Sequence, residues 1–375
     1  MILPRPTHAV INLPAIQHNY RRMREIADTK VMAVVKANAY GHGMIEVARA
    51  AVEAGAEWLG VAILNEGLAL RQAGLKANIL VFGYTPPDQA GEAIANDLSL
   101  TVYDLDVARS YAALAGVIHG RARLHVKVDT GMGRLGVFPD EAAKLVKAIE
   151  LMDGVQVEGL FTHFATADDA DQTYILMQFR RFLHIVDALE AENRDPKIIH
   201  AANSAAALAL PETRFDLVRM GIALYGLNPS PDVPAPPDFI PALEWKSAVV
   251  QVKTLPPGSP VSYGREYVTQ GNEAIAVIPV GYGDGFRRYP KNVARVIVGG
   301  QIVPVVGRVC MDQIMANVSE CGEVKIGDEV VLIGKQGGAY ITADDAARWW
   351  GTINYDVVTG ISARVARVFK DSNVS

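Results

Sequence analysis

The sequence predicts an α/β fold, with an N-terminal (β/α)8 barrel of the TIM type followed by a mainly antiparallel β domain. Three observations predict it. Short apolar runs alternate with helix-like segments from residue 31 to residue 226. A stretch carrying six prolines, "NPSPDVPAPPDFIP" (228–241), follows them. Beyond it the chain is dominated by strand-like runs between Gly-rich turns.

The apolar runs are eight: "VMAVV" (31–35), "WLGVAI" (58–63), "NILVFG" (78–83), "LSLTVY" (98–103), "RLHVKV" (123–128), "VQVEGLF" (155–161), "KIIHAA" (197–202) and "LVRMGIALYG" (217–226). Continuously apolar strands separated by helices indicate parallel pairing with both faces covered. The helix-like segments include 13–27, 44–55, 65–74, 140–150 and 172–193. Eight such units closing on themselves make a barrel of about 200 residues, the lower end of the usual size. The proline-rich stretch has linker chemistry. The expected division is a strand within residues 1–12 that pairs with the C-terminal domain, a barrel over 13–228, a linker over 229–241 and a β domain over 242–375. One helix-like stretch, "TADDAARWW" (342–350), interrupts that domain.

Composition narrows the function. Half of the 375 residues are hydrophobic, and the net charge is −5. An acidic balance argues against nucleic acid or an anionic membrane as a partner. No apolar run reaches the roughly 18 residues that span a bilayer, and the N-terminus lacks the pattern of a secretion signal. A cytoplasmic protein is expected, with Cys310 and Cys321 as free thiols. The histidines and cysteines show no metal-ligand spacing, so no metal site is expected.

In such a barrel the chemistry lies where strands end. Lys36 closes the first run, Arg134 sits in "DTGMGRLG" (129–136), and His163 opens the segment after the sixth run. Ser204 follows the seventh, and Arg219 and Gly221 lie in the eighth. Gly131, Gly133 and Gly136 match a dinucleotide-binding spacing, but that fingerprint needs a helix to open on the glycines. Val137, Phe138 and Pro139 follow instead, so the segment reads as a turn presenting Arg134. A lysine desolvated at a strand end becomes a nucleophilic amine suited to a Schiff base. Small residues after the last two strands let backbone N–H groups approach a phosphate. A lysine facing a phosphate site points to pyridoxal 5′-phosphate (PLP), and spacing alone leaves a sugar-phosphate aldolase open.

Six motifs taken together, "AVVKANAYGHG", "DTGMGRLG", "THFATAD", "SYGREY", "GYGDG" and "GRVCMDQIM", resemble bacterial alanine racemase, a fold-type III PLP enzyme, from about residue 7 to 368. The resemblance implies PLP held as a Schiff base on Lys36, with Lys36 and Tyr263 as the two bases of a racemisation between L- and D-alanine that supplies D-alanine for peptidoglycan. It implies that Arg219 faces the pyridine nitrogen and that Tyr40, Ser204, Gly221, Ile222 and Tyr355 bind phosphate. Arg134 and the backbone at Met311 then take the substrate carboxylate. His163 links the second base to Arg219, and Lys127 is a position often carbamylated. Asp168, Tyr282, Arg288, Arg308 and Ile353 match the entryway. The active sites of a head-to-tail homodimer are shared, with Tyr263, Tyr282, Met311 and Asp312 coming from the partner subunit. His8 and Asp356 depart from residues common in the family, and His42 carries no assigned role.

The chemistry suits those types. Racemisation needs two bases on opposite faces of a planar intermediate. A tyrosine, with an ordinary pKa of about 10, acts as a base near neutrality only where positive charge stabilises its phenolate; His163 and the arginines are candidates to supply it. A guanidinium at the pyridine nitrogen cannot accept a proton, which weakens the electron sink and disfavours transamination. A racemase of serine or lysine, a fold-type III decarboxylase and a non-catalytic PLP carrier are the competing readings. Arg219 argues against the decarboxylase, and residues 242–375 with their tyrosine argue against the carrier.

Overall fold

The computed structural model describes residues 5–194 and 196–371. The chain forms two compact units. One comprises residues 15–39 and 44–240; the other comprises the described residues up to Pro14, Tyr40–Gly43 and the chain from Pro241.

The first unit is the barrel. Its strands are β2 (Lys30–Val34), β3 (Trp58–Val61), β4 (Asn78–Val81), β5 (Ser99–Val102), β6 (Ala122–Lys127), β7 (Val155–Phe161), β8 (Ile198–His200) and β9 (Leu217–Met220). They pair in the order β8-β7-β6-β5-β4-β3-β2-β9, and each neighbouring pair is parallel. The ends of this sheet meet: Asp216 N–H donates to Ile199 O (3.1 Å) and Arg219 N–H to Ala202 O (3.0 Å). Met32, Trp58, Leu80, Ile198 and Leu217, from five different strands, pack together in the core.

Helices cover the sheet with one apolar face each. Leu13–Ala27 buries Ala15, Ile16, Tyr20 and Met23, three to four residues apart. Leu105–Val117 opens on Asp104, whose carboxylate accepts the N–H groups of Asp106 and Val107, a standard N-cap. The run 217–226 is not one strand. It stops at Met220, and Ile222–Tyr225 forms a 3-10 turn, because the Ser204 hydroxyl takes the Gly221 N–H (2.8 Å) that a strand would send to a neighbour. The proline-rich segment folds onto the barrel: Ser230 Oγ donates to Asp168 O (2.5 Å), and Ile240 N–H donates to Asn19 Oδ1 (2.8 Å).

The second unit is built on a mixed sheet in the order β16-β15-β18-β10-β1-β20, with β19 on β18. Its strands are β1 (His8–Asn12), β10 (Leu243–Ala248), β15 (Arg295–Val298), β16 (Gln301–Pro304), β18 (Glu329–Gln336), β19 (Ala339–Ile341) and β20 (Ala366–Lys370). β1 runs antiparallel to β10 and parallel to β20. A three-stranded sheet joins β11 (Gln251–Leu255), β14 (Glu273–Ile278) and β17 (Ile314–Asn317), and β12 (Pro260–Val261) pairs with β13 (Tyr267–Val268). The rings of Trp245, Phe286 and Trp350 pack in sequence in the core of this unit. Thr342 caps helix Ala343–Trp350, and a further helix, Asn354–Thr359, follows.

Asn19 is fully buried. Its amide donates to Leu224 O (3.1 Å) and Ile240 O (2.9 Å) while its oxygen accepts from Ile240 N–H. Asn19→Ala leaves these groups unpaired, each at about 1–3 kcal/mol. The expected result is a destabilisation of at least about 3 kcal/mol in urea unfolding; a midpoint equal to that of the parent would refute a structural role for these three hydrogen bonds.

Candidate active site

The rim after the barrel strands carries most of the residues singled out above. Val35 N–H donates to Gly60 O (2.9 Å) and so extends β2 by one residue. Lys36 follows and opens a left-handed turn: Ala37, Asn38, Ala39 and Tyr40 all have φ between 51° and 54°, and Gly41 has φ 84°. The turn thus begins four residues before Gly41, on non-glycine positions. Each left-handed L-residue costs roughly 1–2 kcal/mol, so the turn needs outside support. In the barrel unit Glu66 supplies it, accepting Ala37 N–H (2.6 Å) and Ala62 N–H (2.8 Å). Asn38 Oδ1 accepts Met44 N–H (2.9 Å). Glu66 carries no motif signal in the sequence, which is why it was missed.

Burial lowers the pKa of the Lys36 amine, and the charges of Arg134 and Arg219 lower it further against the opposing pull of Glu66. That is the environment of a nucleophilic amine. Arg134 stands on a loop organised by Asp129, whose carboxylate accepts the N–H groups of Gly131, Met132, Gly133 and Arg134 at 2.8–3.1 Å. Gly136, at φ 133°, passes so close to Asp129 N that a Cβ would lie 2.4 Å from it. The following helix begins at Pro139, so the glycines shape an arginine-bearing turn and open no helix.

Arg219 is buried. Its Nη2 donates to Thr162 O (2.9 Å), Ala201 O (2.7 Å) and His163 Nδ1 (3.2 Å), and its Nη1 to His200 Nδ1 (3.0 Å). Burial lowers its pKa to about 9, which leaves it charged at neutral pH. Lys127 is buried too, 4.8 Å above the Phe161 ring. Among the described residues its Nζ has no hydrogen-bond partner. Burial and the charges of Arg219 and Arg134 push its pKa well below the usual lysine value.

His163 differs from the expectation that it lends positive charge. Burial, then Arg219, Lys127, Arg134 and Lys36, hold its pKa well below the ordinary value. It is a neutral imidazole accepting from Arg219, so positive charge at this rim belongs to the arginines. Ser204 is buried at the start of helix Ser204–Ala209, its Oγ accepting Gly221 N–H (2.8 Å) and Ala223 N–H (3.4 Å). A desolvated amine, a charged guanidinium and a serine bound to small-residue backbone form a donor set that fits an aldehyde, a ring nitrogen and a phosphate. The barrel residues therefore fit PLP. Asp168 lies half-buried on this side, its carbonyl held by Ser230.

The second unit holds the remaining predicted residues. Tyr40 is buried, burial pushes its pKa upward, and its ring lies 6.1 Å from that of Tyr355. Tyr263 is 66% exposed, and Tyr282, Met311 and Ile353 are exposed as well. Tyr263 stands on a strained turn in which Ser262, Gly264 and Arg265 all have positive φ. Arg308 is half-buried and paired with Glu266; Arg288 is exposed. Tyr282 N–H donates to Cys310 O (3.0 Å) and Gly283 N–H to Met311 O (2.9 Å), which ties the Tyr282 and Met311 segments together. Asp312 is exposed and pairs with Arg364 (2.7 Å).

Three further buried side chains, Glu158, His125 and His200, adjoin Arg219 through a chain of hydrogen bonds. No strand-end position marks them in the sequence. Burial, reinforced for His200 by Arg219, lowers the pKa of both histidines.

Family profiles match both parts of the chain: "Alanine racemase, N-terminal domain" over residues 11–229 and "Alanine racemase, C-terminal domain" over 242–369. The chain is 46% identical over 371 residues to an alanine racemase of Halothermothrix orenii, covering 98% of each chain. It superposes on the crystal structure of alanine racemase from Bacillus anthracis with bound L-Ala-P at a TM-score of 0.93 and 40% identity, covering 100% of this chain and 97% of that one. A histidine racemase from Leuconostoc mesenteroides superposes at a TM-score of 0.91 and 31% identity, covering 99% of each chain.

His125, His163 and His200 have depressed native pKa values, against about 6.5 when unfolded. Below pH 6.5 the unfolded chain binds protons that the native protein refuses, so stability present above that pH is lost as pH falls. Each contributes a slope approaching about 1.4 kcal/mol per pH unit. Urea titrations between pH 7.5 and 5.5 are expected to show stability falling steadily toward the acid end, and a flat profile would contradict neutral burial.

Proposed function

The chain belongs to the alanine racemase family, and from that premise we propose how its residues interconvert L- and D-alanine with PLP. The observation that carries the reading is the desolvated Lys36 amine at the barrel rim, within the fields of Arg134 and Arg219. PLP, when bound, withdraws electrons from the α-carbon and acidifies its C–H bond.

The protein's own groups do the rest. Lys36 would hold the cofactor covalently and would carry a proton at Nζ on one face of the substrate. Tyr263 carries a proton at its hydroxyl on the other. A homodimer supports that division: four large side chains, Tyr263, Tyr282, Met311 and Ile353, stand exposed on the second unit, as a surface awaiting a partner would. In this proposal Tyr263, Tyr282, Met311 and Asp312 are presented to the partner's barrel, with Arg288, Arg308, Ile353 and Asp168 at the entrance. Arg134 and the backbone at Met311 take the substrate carboxylate. Ser204, Gly221, Ile222, Tyr40 and Tyr355 would hold the phosphate, and Arg219 would face the ring nitrogen. His163, neutral and bonded to Arg219, orients Tyr263.

Alanine is the proposed substrate, and the product supplies the cell wall from the cytoplasm. No helix among the described residues is long and apolar enough to cross a membrane. The kinship with a histidine racemase keeps another amino acid as the second reading, because the fold accommodates both.

The parent enzyme is expected to convert L-alanine to D-alanine in a coupled assay. Lys36→Ala should lose both turnover and the cofactor's visible absorbance. Tyr263→Phe should lose about 10²–10⁴-fold in turnover while keeping that absorbance. Arg219→Glu in the same assay should raise transamination relative to racemisation; an unchanged ratio removes the argument from the guanidinium. A yellow protein that never interconverts alanine enantiomers would sink the main reading.

Lys127 is proposed to be carbamylated. Its neutral amine adds to the carbon of CO2 and releases one proton, which places an anion within the fields of Arg219 and Arg134. Protein equilibrated with ¹³C-bicarbonate should give a carbamate resonance that Lys127→Ala abolishes; its absence from the parent protein excludes the modification.

A further inference from the structure

A buried polar path leads from Arg219 into the barrel interior, and none of the roles above uses it. Arg219 Nη1 lies 3.0 Å from His200 Nδ1 on β8. His200 Nε2 lies 2.9 Å from His125 Nδ1 on β6. His125 Nε2 lies 3.2 Å from Glu158 Oε2 on β7, and that oxygen also accepts the Ser99 hydroxyl of β5 at 2.5 Å. Ser99, His125 and His200 are fully buried, and Glu158 is nearly so.

The direction of the path is fixed at both ends. A guanidinium only donates, so His200 Nδ1 accepts and its proton resides on Nε2. That proton obliges His125 Nδ1 to accept, which puts the His125 proton on Nε2, facing the carboxylate. Glu158 is an acceptor there because it is ionised. Burial raises its pKa, but the hydrogen bonds from His125 and Ser99 and the charge of Arg123 outweigh burial and hold it low.

The packing is shaped for these rings. A Cβ on Gly159 would fall 2.4 Å from His125 Nδ1, so only glycine leaves room for the imidazole. The β6–β7 register shifts beside it, between Leu124 and His125. Phe161 stacks on His200 with centroids 4.7 Å apart and planes within 3°, and Trp58 meets His125 edge-on at 5.4 Å. Among the described residues, the hydrogen-bond partners of Arg219 include no carboxylate. Among the described residues of the barrel unit, Glu158 is the one buried acidic side chain. The path therefore joins a buried cation to its buried anion through two neutral imidazoles.

We propose that Glu158 and His125 are positioning residues for racemisation, fixing through His200 the tautomer that holds the Arg219 guanidinium in one orientation. The proposal rests on the reading of Arg219 as the group that faces the cofactor ring. Its experiment is ¹⁵N NMR of histidine-labelled holoenzyme, which reads imidazole tautomers independently of turnover, beside alanine kinetics. In the parent enzyme both His125 and His200 should be neutral with the proton on Nε2. Glu158→Leu removes the terminal acceptor and should give mixed tautomers at both histidines, with kcat reduced about tenfold and KM for alanine within about twofold. Glu158→Gln offers His125 an amide oxygen and should restore the Nε2–H tautomers and most of kcat. An Nδ1–H or mixed state in the parent enzyme overturns the proposal without any variant. So does a Glu158→Leu enzyme with full kcat, or a Glu158→Gln enzyme as slow as Glu158→Leu despite parental tautomers. A parent protein with the expected tautomers and no alanine racemisation would support the path and overturn the functional reading.

Discussion

Positive charge withdrawn from water at one end of the barrel is the constraint to which the rest of the site answers. Arg219 and Lys127 are buried, and Lys36 is half-buried. Taking a cation out of water costs several kcal/mol unless partners compensate. Different residues meet that cost in different ways. Arg219, with the highest proton affinity, keeps its charge and collects two carbonyls and two imidazoles. The lysines are driven toward their neutral forms, and neutral amines are the forms that bond to a carbonyl or to CO2. The histidines are held neutral by burial first and by the neighbouring charges second. One electrostatic condition thus produces a nucleophile, an orphaned amine and a set of fixed acceptors.

Backbone strain is the second device at the rim. The chain leaves β2 through four consecutive non-glycine residues in the left-handed region, a conformation that persists only where the surroundings impose it. Glu66 and Asn38 impose it from within the barrel unit. Within the second unit, Arg367 Nε donates to Gly41 O at 2.9 Å, and a Cβ at Gly41 would lie 2.1 Å from Val358 O. The turn begins directly after Lys36 and reaches Tyr40, so only three residues separate the amine from the proposed phosphate ligand along the chain.

Much of the site was legible because its residues follow strand ends, and the order of apolar runs gives those ends directly. Lys36, Arg134, His163, Ser204 and Arg219 were found that way. Tyr263, Tyr282 and Met311 lie in turns with no periodic signal, so only the resemblance of motifs pointed to them. Glu66, His125, Glu158 and His200 escaped both routes. His125 and Glu158 sit inside strands and His200 inside the apolar run 197–202, where a polar residue among apolar neighbours looks the same whether it is bonded in the core or facing water. The protonation of His163 was also beyond the sequence, since it depends on how many cations converge on one point.

The sequence by itself determined the alternation of strands and helices, the change to a β domain after the prolines, and which reactive side chains stand at the barrel rim. These follow from local patterning, which turns on neighbours three or four positions away. Tertiary structure decided what those side chains are chemically. A lysine is an ammonium ion or a nucleophile according to its burial and the charges around it, and Arg134 and Arg219 reach Lys36 from 98 and 183 positions further along the chain. Barrel closure brings β8 beside β9 and sets His200 against Arg219, and the space left by Gly159 admits the ring of His125. Such contacts depend on distances in space, which no spacing along the chain records.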